Sequence, residues 1–529
     1  MAGDKENPEK TGLRLLRKGR RGLLRAVFSR AGLIFVLLLV QVAFTLVLFL
    51  RLEDYVPHAV TLSAVFSGIM ALCLLNSRQD PSAKITWIVV IMLLPAFGAA
   101  LYLYTRSDLG HRLLKQRFAA LTEETREAVP QDPETRARFE EQAPESVGLS
   151  RYVARTGCFP VYEGCESRYF PLGDELFPAM LEELEKAEDF IFLEYFIIDE
   201  GIMWGRVLEI LARKAREGVD VRLIYDGSNE FFTLPRSYPK RLKALGIQCK
   251  TFAPITPFVS THYNYRDHRK ILIIDGRTAF TGGVNLADEY INRRRRFGHW
   301  KDTGLLLRGP AVRSFTLMFL QMWNVDGKEG IPELERFLSA PAPKGDARGF
   351  VLPYGDCPLD EERVGEWVYM DLLNRARQRV SIMTPYLILD GEMETALKFA
   401  AERGVDVRLI LPGVPDKKLP WALAGTHYEA LLRSGVKIFE YTPGFVHAKV
   451  FLMDDREAVV GTINLDYRSL YHHFECAVWL RDCESLASIR EDFTETERLC
   501  RPVDADAVRR RSRFSRLMGA VMKIIAPLM

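Results

Sequence analysis

The stretch HRKILIID, residues 268–275, returns later in the chain as HAKVFLMD, residues 447–454. Each copy continues to a turn of small residues and an Asn, with TGGVN ending at Asn285 and GTIN ending at Asn464. The spacing from His to Asn is the same in both copies, which indicates an internal repeat with a shared chemical purpose. The common pattern is His-x-Lys-x-x-x-x-Asp, with the members His268, Lys270 and Asp275 in the first octet and His447, Lys449 and Asp454 in the second.

The segments between the polar members of the octets, ILII and VFLM, are apolar and predict buried strands. Residues i and i+2 share one face of a strand, so the His and the Lys of each octet should project together. The Asp, seven residues after the His, falls on the opposite face or in the following turn. We therefore expect Asp275 and Asp454 to support the site without touching the reacting atoms.

The paired His and Lys side chains predict a site for phosphodiester cleavage. An imidazole is a nucleophile or a proton donor near neutral pH, and an ammonium charge suits a phosphoryl oxygen. If the two pairs face each other, one His attacks phosphorus and the other protonates the leaving oxygen, while the two Lys hold the non-bridging oxygens. Asn285 and Asn464 could add amide donors to the same cradle. The predicted reaction passes through a covalent phosphohistidine and uses no metal and no other cofactor.

The octets resemble the HxKxxxxD signature of the phospholipase D superfamily. More narrowly, RDHRKILIIDGRTAFTGGVNLADEY and FVHAKVFLMDDREAVVGTINLDYRSLYHHFE resemble bacterial cardiolipin synthases, and the resemblance extends over most of the chain from about residue 60. It implies that the two halves meet across a pseudo-two-fold axis. It also implies transfer of a phosphatidyl group between two phosphatidylglycerol molecules, giving cardiolipin and glycerol, with His268 as nucleophile and His447 as acid and base.

The resemblance also implies a role for one late acidic residue in each half. Asp302 lies in WKDTG after the first octet, and Glu475 lies in HHFE after the second. In the family an acid in this region hydrogen-bonds a catalytic imidazole, which fixes the ring tautomer and stabilises the imidazolium. We expect Asp302 and Glu475 to be supporting residues of this kind; the alternative is a pair of surface carboxylates.

The repeat extends beyond the octets and predicts the fold. EGVDVRLIYDG at 217–227 matches RGVDVRLILPG at 403–413, and helical patterns occupy 203–218 and 392–404. Alternating strands and helices predict an α/β fold with two similar phospholipase D-type lobes, whose mostly parallel or mixed sheets are flanked by helices, preceded by N-terminal transmembrane helices. The predicted parts are a basic tail at 1–32, hydrophobic membrane-anchoring segments at 33–104, a linker at 105–150, a first lobe at 151–325, an inter-lobe connection at 326–349, a second lobe at 350–505 and a basic amphipathic C-terminal segment at 506–529.

The hydrophobic region contains three uncharged segments, 33–50, 59–75 and 85–104. Each is about long enough to cross a hydrocarbon core of ~30 Å, the second one barely. The Lys- and Arg-rich residues before them predict a cytoplasmic N-terminus and contact with anionic lipid. We therefore expect a multi-pass protein of the bacterial cell membrane. Basic residues also follow the third segment, so the side that the catalytic part faces stays open, and the C-terminal segment could lie on the bilayer or pack on the lobes.

Other function classes find less support. The chain has no GxxxxGK[ST] loop and no GxGxxG loop, and exchanging one phosphodiester for another needs no nucleotide. Its eight Cys form no CxxC pair and no metal-ligand spacing. A phospholipase D, or another phosphatidyltransferase such as a phosphatidylserine synthase, would use the same residues and remains an alternative. The hydrophobic segments argue against a nuclease and hence against a nucleic-acid partner. The two intact octets argue against a non-enzymatic scaffold. Nothing in the sequence indicates a required protein partner.

Overall fold

The computed structural model describes residues 59–77, 79–93, 109–254, 265–327, 330–340, 344–510 and 512–528, with isolated positions between 43 and 103 and at 342. These residues divide into two compact units. The larger unit takes in the described residues of Leu114–Pro254 and Asn264–Gly519, and the smaller unit takes in those of Lys18–Leu113 and Ala520–Met529. Both octets belong to the larger unit.

The first helices whose bounds lie in the described residues are α1 (Ala59–Leu75) and α2 (Pro81–Leu93), which pack together through buried side chains such as Leu74 and Ile91. The sequence predicted transmembrane helices in this region. The first predicted segment, 33–50, falls almost wholly outside the described residues, while α1 has 17 residues and α2 has 13. Within the described part of the chain, no helix has both the length and the apolar character needed to cross a membrane.

The described residues of the segment predicted to be a linker, 109–150 of 105–150, instead form a packed helical region. It contains, in order, α3 (Leu109–Glu124), α4 (Pro133–Gln142) and the start of α5 (Val147–Gly157). Phe118 and Leu121 of α3 and Phe139 of α4 are buried in the main core. The prediction of a linker was wrong because these apolar side chains, set among many charged residues, line the inner faces of amphipathic helices.

The first half of the repeat forms a mixed sheet. Its elements are, in chain order, β1 (Tyr162–Glu163), β2 (Glu166–Phe170), α6 (Gly173–Glu185), β3 (Phe190–Tyr195), α7 (Ile202–Arg216), β4 (Asp220–Asp226), α8 (Asn229–Phe232), α9 (Tyr238–Lys243), β5 (Gln248–Phe252), β6 (Arg266–Asp267), β7 (Lys270–Ile274), β8 (Thr278–Gly282), β9 (His299–Lys301), β10 (Gly304–Arg308) and α10 (Val312–Trp323). The sheet order is β2-β10-β8-β7-β3-β4-β5. Only the neighbours β3, β4 and β5 run parallel, and the remaining pairs are antiparallel.

The second half repeats this arrangement. Its elements are, in chain order, α11 (Leu334–Leu338), β11 (Phe350–Asp356), α12 (Val364–Arg375), β12 (Arg379–Met383), α13 (Gly391–Glu402), β13 (Asp406–Pro412), α14 (Lys418–Arg433), β14 (Lys437–Tyr441), β15 (Gly444–Val446), β16 (Val450–Met453), β17 (Glu457–Gly461), α15 (Tyr467–Tyr471), β18 (His473–Arg481), α16 (Ser485–Arg498), β19 (Cys500–Val503), α17 (Ala505–Arg510) and α18 (Arg513–Ile525). The sheet order is β1-β11-β18-β17-β16-β12-β13-β14-β19. The parallel strands β12, β13 and β14 again adjoin antiparallel ones.

Strand β3 shows why the central strands are apolar on both faces. Its sequence FIFLEY places Phe190 and Phe192 in the main core and Ile191 and Leu193 in a second core that also contains residues of α6 and α7. Such burial on both faces is typical of a sheet covered on each side. Helix α10 contributes to the main core together with residues of both sheets, and all its residues but one are buried. This helix therefore belongs to the interior of the lobe pair.

The two halves also exchange short strands. Strand β1 belongs to the first half by sequence but pairs with β11 of the second. Strand β6 pairs in parallel with the start of β18, and β9 pairs in parallel with β15. The pair of β6 and β18 joins the residues just before His268 to those just before Glu475. The pair of β9 and β15 joins the residues just before Asp302 to those just before His447. The exchange fixes the position of both octets relative to the opposite half.

Candidate active site

The two octet histidines, His268 and His447, each lie just before the strand of their octet. Strand β6 ends at Asp267 and β7 begins at Lys270, so His268 lies between them. His447 lies between the end of β15 at Val446 and the start of β16 at Val450. The strands predicted from the octets are present and buried, but they begin after the His. Each His is held by the exchanged parallel strand pair that precedes it.

Backbone hydrogen bonds bring each His next to the acid of the other half. The backbone N–H of His268 donates to the carbonyl oxygen of Phe474 at 2.9 Å, and the next residue is Glu475. The backbone N–H of His447 donates to the carbonyl oxygen of Lys301 at 2.7 Å, and the next residue is Asp302. The two arrangements are equivalent, as expected of a pseudo-two-fold repeat.

Each imidazole is therefore hydrogen-bonded by the carboxylate of the opposite half. Nδ1 of His268 lies 2.9 Å from both carboxylate oxygens of Glu475, and Nδ1 of His447 lies 2.6 Å from Oδ2 of Asp302. A carboxylate accepts hydrogen bonds, so each Nδ1 carries the hydrogen and each Nε2 keeps a lone pair. Both expected hydrogen bonds between a histidine and a late acid are present, and each joins the histidine of one half to the acid of the other half.

The surroundings of the two carboxylates differ. Glu475 accepts hydrogen bonds from the hydroxyls of Ser469, at 2.7 Å, and Thr462 in addition to its contact with His268. Asp302 accepts from the backbone N–H of Thr303 at 2.9 Å through Oδ1, the oxygen that does not face His447. More donors spread the charge of Glu475, so the Asp302 carboxylate is the stronger partner for a cationic imidazole.

Gly283 allows Asp302 to lie where it does. A Cβ at Gly283 would come within 2.0 Å of Oδ1 of Asp302 and 2.9 Å of the carbonyl oxygen of His447. The equivalent residue of the other half is Thr462, whose hydroxyl contacts the longer acid Glu475. The small residue in TGGVN thus accommodates the carboxylate itself, and the Thr in GTIN supplies a hydroxyl.

The two lysines lie beside their own histidines. Nζ of Lys270 donates to the carbonyl oxygen of His268 at 2.5 Å, and Nζ of Lys449 donates to that of His447. Nζ of Lys449 is also 2.9 Å from Nδ1 of His447. Nδ1 has either a hydrogen or a lone pair, so it cannot donate to Asp302 and accept from Lys449 together; the charged carboxylate at 2.6 Å is the stronger partner. Each ammonium therefore keeps further donors for a phosphoryl oxygen.

Burial and mutual repulsion keep the unliganded site low in positive charge. Burial lowers the pKa of Lys449 to about 7 and that of Lys270 to about 8. Burial, and next the Lys270 and Lys449 charges, hold the pKa of His268 well below its usual range. Burial and the Lys449 charge lower the pKa of His447 to about 4. Both imidazoles are consequently neutral at neutral pH, and an anion bound between the lysines would raise all four pKa values.

The octet aspartates, Asp275 and Asp454, accept hydrogen bonds from the backbone and so have a structural role beside the site. Asp275 accepts hydrogen bonds from the backbone N–H groups of residues 188, 189 and 190 at 2.8–2.9 Å. Asp454 accepts from those of residues 377, 378 and 379 at the same distances. Both aspartates follow their strands in turns, with φ of 51° and 49°. Each carboxylate therefore ties the turn after an octet strand to the start of the neighbouring strand, β3 or β12.

The two octet-associated asparagines are buried and differ in their contacts. Oδ1 of Asn285 accepts from the backbone N–H of Ile197 at 2.9 Å, and its Nδ2 donates to the hydroxyl of Tyr290 at 2.8 Å. One amide hydrogen of Asn285 is left for a ligand. Oδ1 of Asn464 has no hydrogen-bond partner among the described residues. The expectation that both amides line the phosphate cradle stays a prediction.

Aromatic rings, which the octet pattern did not reveal, border both imidazoles. The ring of Phe196 lies 4.9 Å from that of His268, and Nζ of Lys270 lies 5.5 Å from the Phe196 ring. The rings of Tyr290 and Trp300 lie 5.4 and 5.5 Å from that of His447. Apolar walls of this kind exclude water from a reacting centre.

A third buried histidine, His473, also borders the site. Its ring lies 5.3 Å from that of His268, and its Nδ1 lies 3.7 Å from Oε1 of Glu475. Burial lowers the pKa of His473 to about 3. Neither ring nitrogen has a hydrogen-bond partner among the described residues. The sequence signal was its position two residues before Glu475, which puts both side chains on the same face of β18.

Two side-chain groups in the described part of the chain have the composition of metal ligands. They are His268, His473 and Glu475 in the site, and Glu366, Asp390 and Glu392 outside it. In the site, the Lys270 and Lys449 charges oppose a bound cation, as their effect on the His268 pKa shows. In the second group, Nη1 of Arg363 lies 2.9–3.0 Å from two of the carboxylates and supplies the positive charge itself. Neither donor set favours a metal ion.

Protein-family models and known relatives match most of this chain. The family described as "Cardiolipin synthase, PLD-like domain" matches residues 180–321 and 369–496, and the one described as "Phospholipase_D-nuclease N-terminal" matches residues 60–106. Cardiolipin synthase 2 of Bacillus cereus is 33% identical, covering 89% of this chain and 90% of that protein. A cardiolipin synthase of a Geobacillus species is 35% identical, covering 85% of this chain and 90% of that protein.

Two further comparisons extend this result. A Streptococcus mutans protein described as uncharacterised is 53% identical, covering 87% of this chain and 99% of that protein. The crystal structure of phosphatidylserine synthase from Haemophilus influenzae covers 70% of this chain and 94% of that chain, with a TM-score of 0.54 and 14% identity. At this identity the structural match shows a shared fold.

Proposed function

Since the chain belongs to the family of phospholipase D-like cardiolipin synthases, we propose that it transfers a phosphatidyl group from one phosphatidylglycerol molecule to another. The products are cardiolipin and glycerol. The observation that carries this proposal is the pair of crossed dyads, His268 with Glu475 and His447 with Asp302. Two oriented imidazoles supply the two roles that transfer through a covalent intermediate requires.

The first half-reaction forms a phosphohistidine. The phosphodiester of the donor lipid binds between Lys270 and Lys449, and its negative charge raises the pKa of His447 so that this imidazole takes up a proton. Nε2 of His268 attacks the phosphorus and the bond from phosphorus to the glycerol oxygen breaks. The leaving oxygen takes the proton from Nε2 of His447 and departs as glycerol.

The second half-reaction reverses the proton transfer. A hydroxyl on the headgroup of the second phosphatidylglycerol gives its proton to Nε2 of His447, and its oxygen attacks the phosphohistidine. The bond from phosphorus to Nε2 of His268 breaks, which releases cardiolipin and a neutral His268. His447 is protonated again and ready for the next donor, so the cycle balances without a nucleotide or a metal.

The unequal carboxylates support this division of labour. The imidazole that carries the proton becomes a cation, and Asp302, with fewer competing donors, is suited to stabilise it. Glu475, which also accepts from Ser469 and Thr462, is suited to fix the tautomer of a nucleophile. We therefore assign attack to His268 and proton transfer to His447.

Phospholipase D activity is the second candidate, because water can attack the same phosphohistidine. Bulk water is near 55 M, so transfer requires a positioned lipid acceptor and a site from which water is excluded. The rings of Phe196, Tyr290 and Trp300 beside the imidazoles favour exclusion and therefore transfer. Membrane anchoring by the hydrophobic segments at 33–104, with a multi-pass topology in the bacterial cell membrane, is the localisation we propose for this reaction.

The test is a product analysis with the full chain in phosphatidylglycerol bilayers. We expect cardiolipin and free glycerol in near-equal amounts, phosphatidic acid as a minor product, and the same result in excess chelator. Excess glycerol should drive the reaction backward, because one phosphodiester replaces another at little free-energy change. Mainly phosphatidic acid would replace the synthase assignment by phospholipase D, and loss of activity in chelator that one divalent ion restores would overturn the metal-free mechanism.

A further inference from the structure

Helix α18 presents a stripe of large apolar side chains to solvent. Phe514, Leu517, Val521 and Ile524 are 72, 65, 48 and 46% exposed. Their spacing of three and four residues places them on one face of the helix. Scattered exposed apolar residues are common on protein surfaces, but four in one row on one helix form a continuous surface.

The opposite face of α18 is anchored, so the stripe is held in a fixed orientation. Gly519 lies so close to α14 that a Cβ would come within 2.6 Å of the carbonyl oxygen of Ala422 and 2.8 Å of the side chain of Thr426. Gly519 itself is buried. The helix therefore packs on the protein and exposes the stripe at the same time, which combines the two roles that its sequence left open.

Positive charge borders the stripe. On a helical projection Arg513 falls at one edge of the stripe, and Arg516 and Lys523 follow on the same side, farther round the helix; all three are exposed. Among the described residues none forms an ion pair with these three cations, and the sequence has no acidic residue after Asp506. An apolar stripe with a row of unpaired cations beside it matches the two layers of an anionic bilayer surface, the acyl chains and the charged headgroups.

We propose that this face of α18 lies in the surface of a bilayer that contains anionic phospholipid. The stripe enters the acyl-chain region and Arg513, Arg516 and Lys523 contact headgroup phosphates. A second copy of the chain is a poorer occupant, because four side chains fall well short of the ~1,200 Å² of a stable interface and the cations of two copies would face each other. This inference depends on the proposed function in one respect, namely that the substrate is an anionic lipid in a membrane.

The test measures the accessibility of the stripe in the full chain and needs no turnover. Cys73 is the exposed cysteine of the described residues, the others being buried or half-buried, so Cys73→Ser is the parent variant. In this parent Leu517→Cys adds a thiol to the stripe, and Arg433→Cys adds a control thiol on α14, where the Arg433 side chain is 78% exposed. Each variant is reconstituted in phosphatidylglycerol or phosphatidylcholine nanodiscs and treated with a charged, membrane-impermeant maleimide.

We expect the Leu517→Cys thiol to react at least about tenfold more slowly in phosphatidylglycerol than in phosphatidylcholine, and the Arg433→Cys thiol to react equally in both. Adding Arg513→Gln and Arg516→Gln to the Leu517→Cys variant should remove most of the difference in labelling rate between the two bilayers. Each cation should account for a roughly fivefold change in that rate. Equal reactivity of the Leu517→Cys thiol in the two bilayers, whether fast or slow, would overturn the proposal. Protection that depends on protein concentration would assign the surface to a second copy. Because labelling is independent of catalysis, a failed product analysis leaves this result interpretable.

Discussion

At the scale of single residues, the crossed dyads make each imidazole dependent on a carboxylate of the opposite half. Glu475 lies after the second octet but contacts His268, and Asp302 lies after the first octet but contacts His447. Residues of one half therefore need not share one role. The chemistry should separate them by dyad, with His268 and Glu475 acting in attack and His447 and Asp302 acting in proton transfer.

A phosphatidyl ester of p-nitrophenol tests this pairing, because its leaving group needs no proton. We expect His268→Ala and Glu475→Gln to lose the rapid release of p-nitrophenol that accompanies phosphohistidine formation. The expected loss is at least about 10³-fold for His268→Ala and about 10²- to 10⁴-fold for Glu475→Gln, which leaves the wrong tautomer. His447→Ala and Asp302→Asn should keep the burst and turn over slowly with phosphatidylglycerol. Rapid-mixing absorbance measures the burst.

His427→Ala is a matched control for these substitutions. His427 is another buried histidine of the second half, and its Nδ1 lies 2.8 Å from Glu394 on α13, outside the site. This variant should retain the burst even if it is less stable. If Asp302→Asn lost the burst while Glu475→Gln kept it, the assignment of attack to the dyad of His268 and Glu475 would be wrong.

The lowered lysine pKa values predict how activity depends on pH. An ammonium whose pKa is lowered is charged only below that pKa, so Lys449 loses its charge as pH rises through about 7 and Lys270 through about 8. The free enzyme then binds the phosphodiester anion less well. We expect kcat/KM, which reports the free enzyme, to fall as pH rises from 7 to 9 when it is measured in mixed micelles of fixed composition. A kcat/KM that stayed constant to pH 9 would show that the lysine charges are not required.

Most of the site could be predicted from the sequence, whereas its pairing could not. The His and Lys of each octet, and the two late acids, were identified by spacing and resemblance. The crossing depends on β6 pairing with β18 and β9 with β15, contacts between residues far apart in the chain that no local pattern encodes. His473 and Phe196 were missed because a lone aromatic or His next to a strand is usually a core residue.

At the scale of secondary-structure elements, the octet aspartates connect the strand of each octet to its neighbour. Asp275 accepts from three consecutive backbone N–H groups at the start of β3 and has a left-handed φ of 51°. Asp275→Ala should lower the free energy of unfolding by about 2 kcal/mol, because it removes charge-assisted hydrogen bonds and leaves Ala in a conformation it disfavours. Asp275→Asn keeps an acceptor and tolerates that conformation, so its loss should be smaller.

Catalysis by the folded protein should be nearly unchanged in both Asp275 variants, since the carboxylate is used by the backbone. The measurements are denaturant unfolding of the full chain and turnover at low temperature, where both variants remain folded. An Asp275→Ala variant that unfolded like the natural protein but lost activity about 10³-fold would place this carboxylate among the reacting groups instead.

The element order was predictable because repeated apolar patterns have a clear period. The segments at 217–227 and 403–413 both contain the predicted strands, β4 and β13, and helices α7 and α13 occupy the patterns at 203–218 and 392–404 within two residues. Sheet order and the share of antiparallel pairs were less predictable, because β2, β8 and β10 have no sequence signal for their neighbours. The helices of 105–150 were missed because their charged outer faces obscured the few buried residues.

At the scale of the whole molecule, the exchanged strands make the two lobes one catalytic unit. Strand β1 completes an edge of the second sheet, and β6 and β9 each pair with the opposite half. A chain cut within 339–349, where the described residues are exposed or half-buried, should therefore give two fragments that are inactive alone and active when co-expressed. Co-purification and product formation measure this. An active carboxy-terminal fragment by itself would show that the second lobe does not need Asp302.

The distance in sequence between His268 and Glu475, 207 residues, also sets the order in which the enzyme becomes competent during synthesis. His268 is synthesised long before the strand that carries Glu475, and that strand, β18, lies inside the second sheet between β11 and β17. On the mechanism proposed above, a nascent or interrupted chain that stops before this strand lacks the carboxylate that orients His268, and we expect it to be unable to form the phosphohistidine.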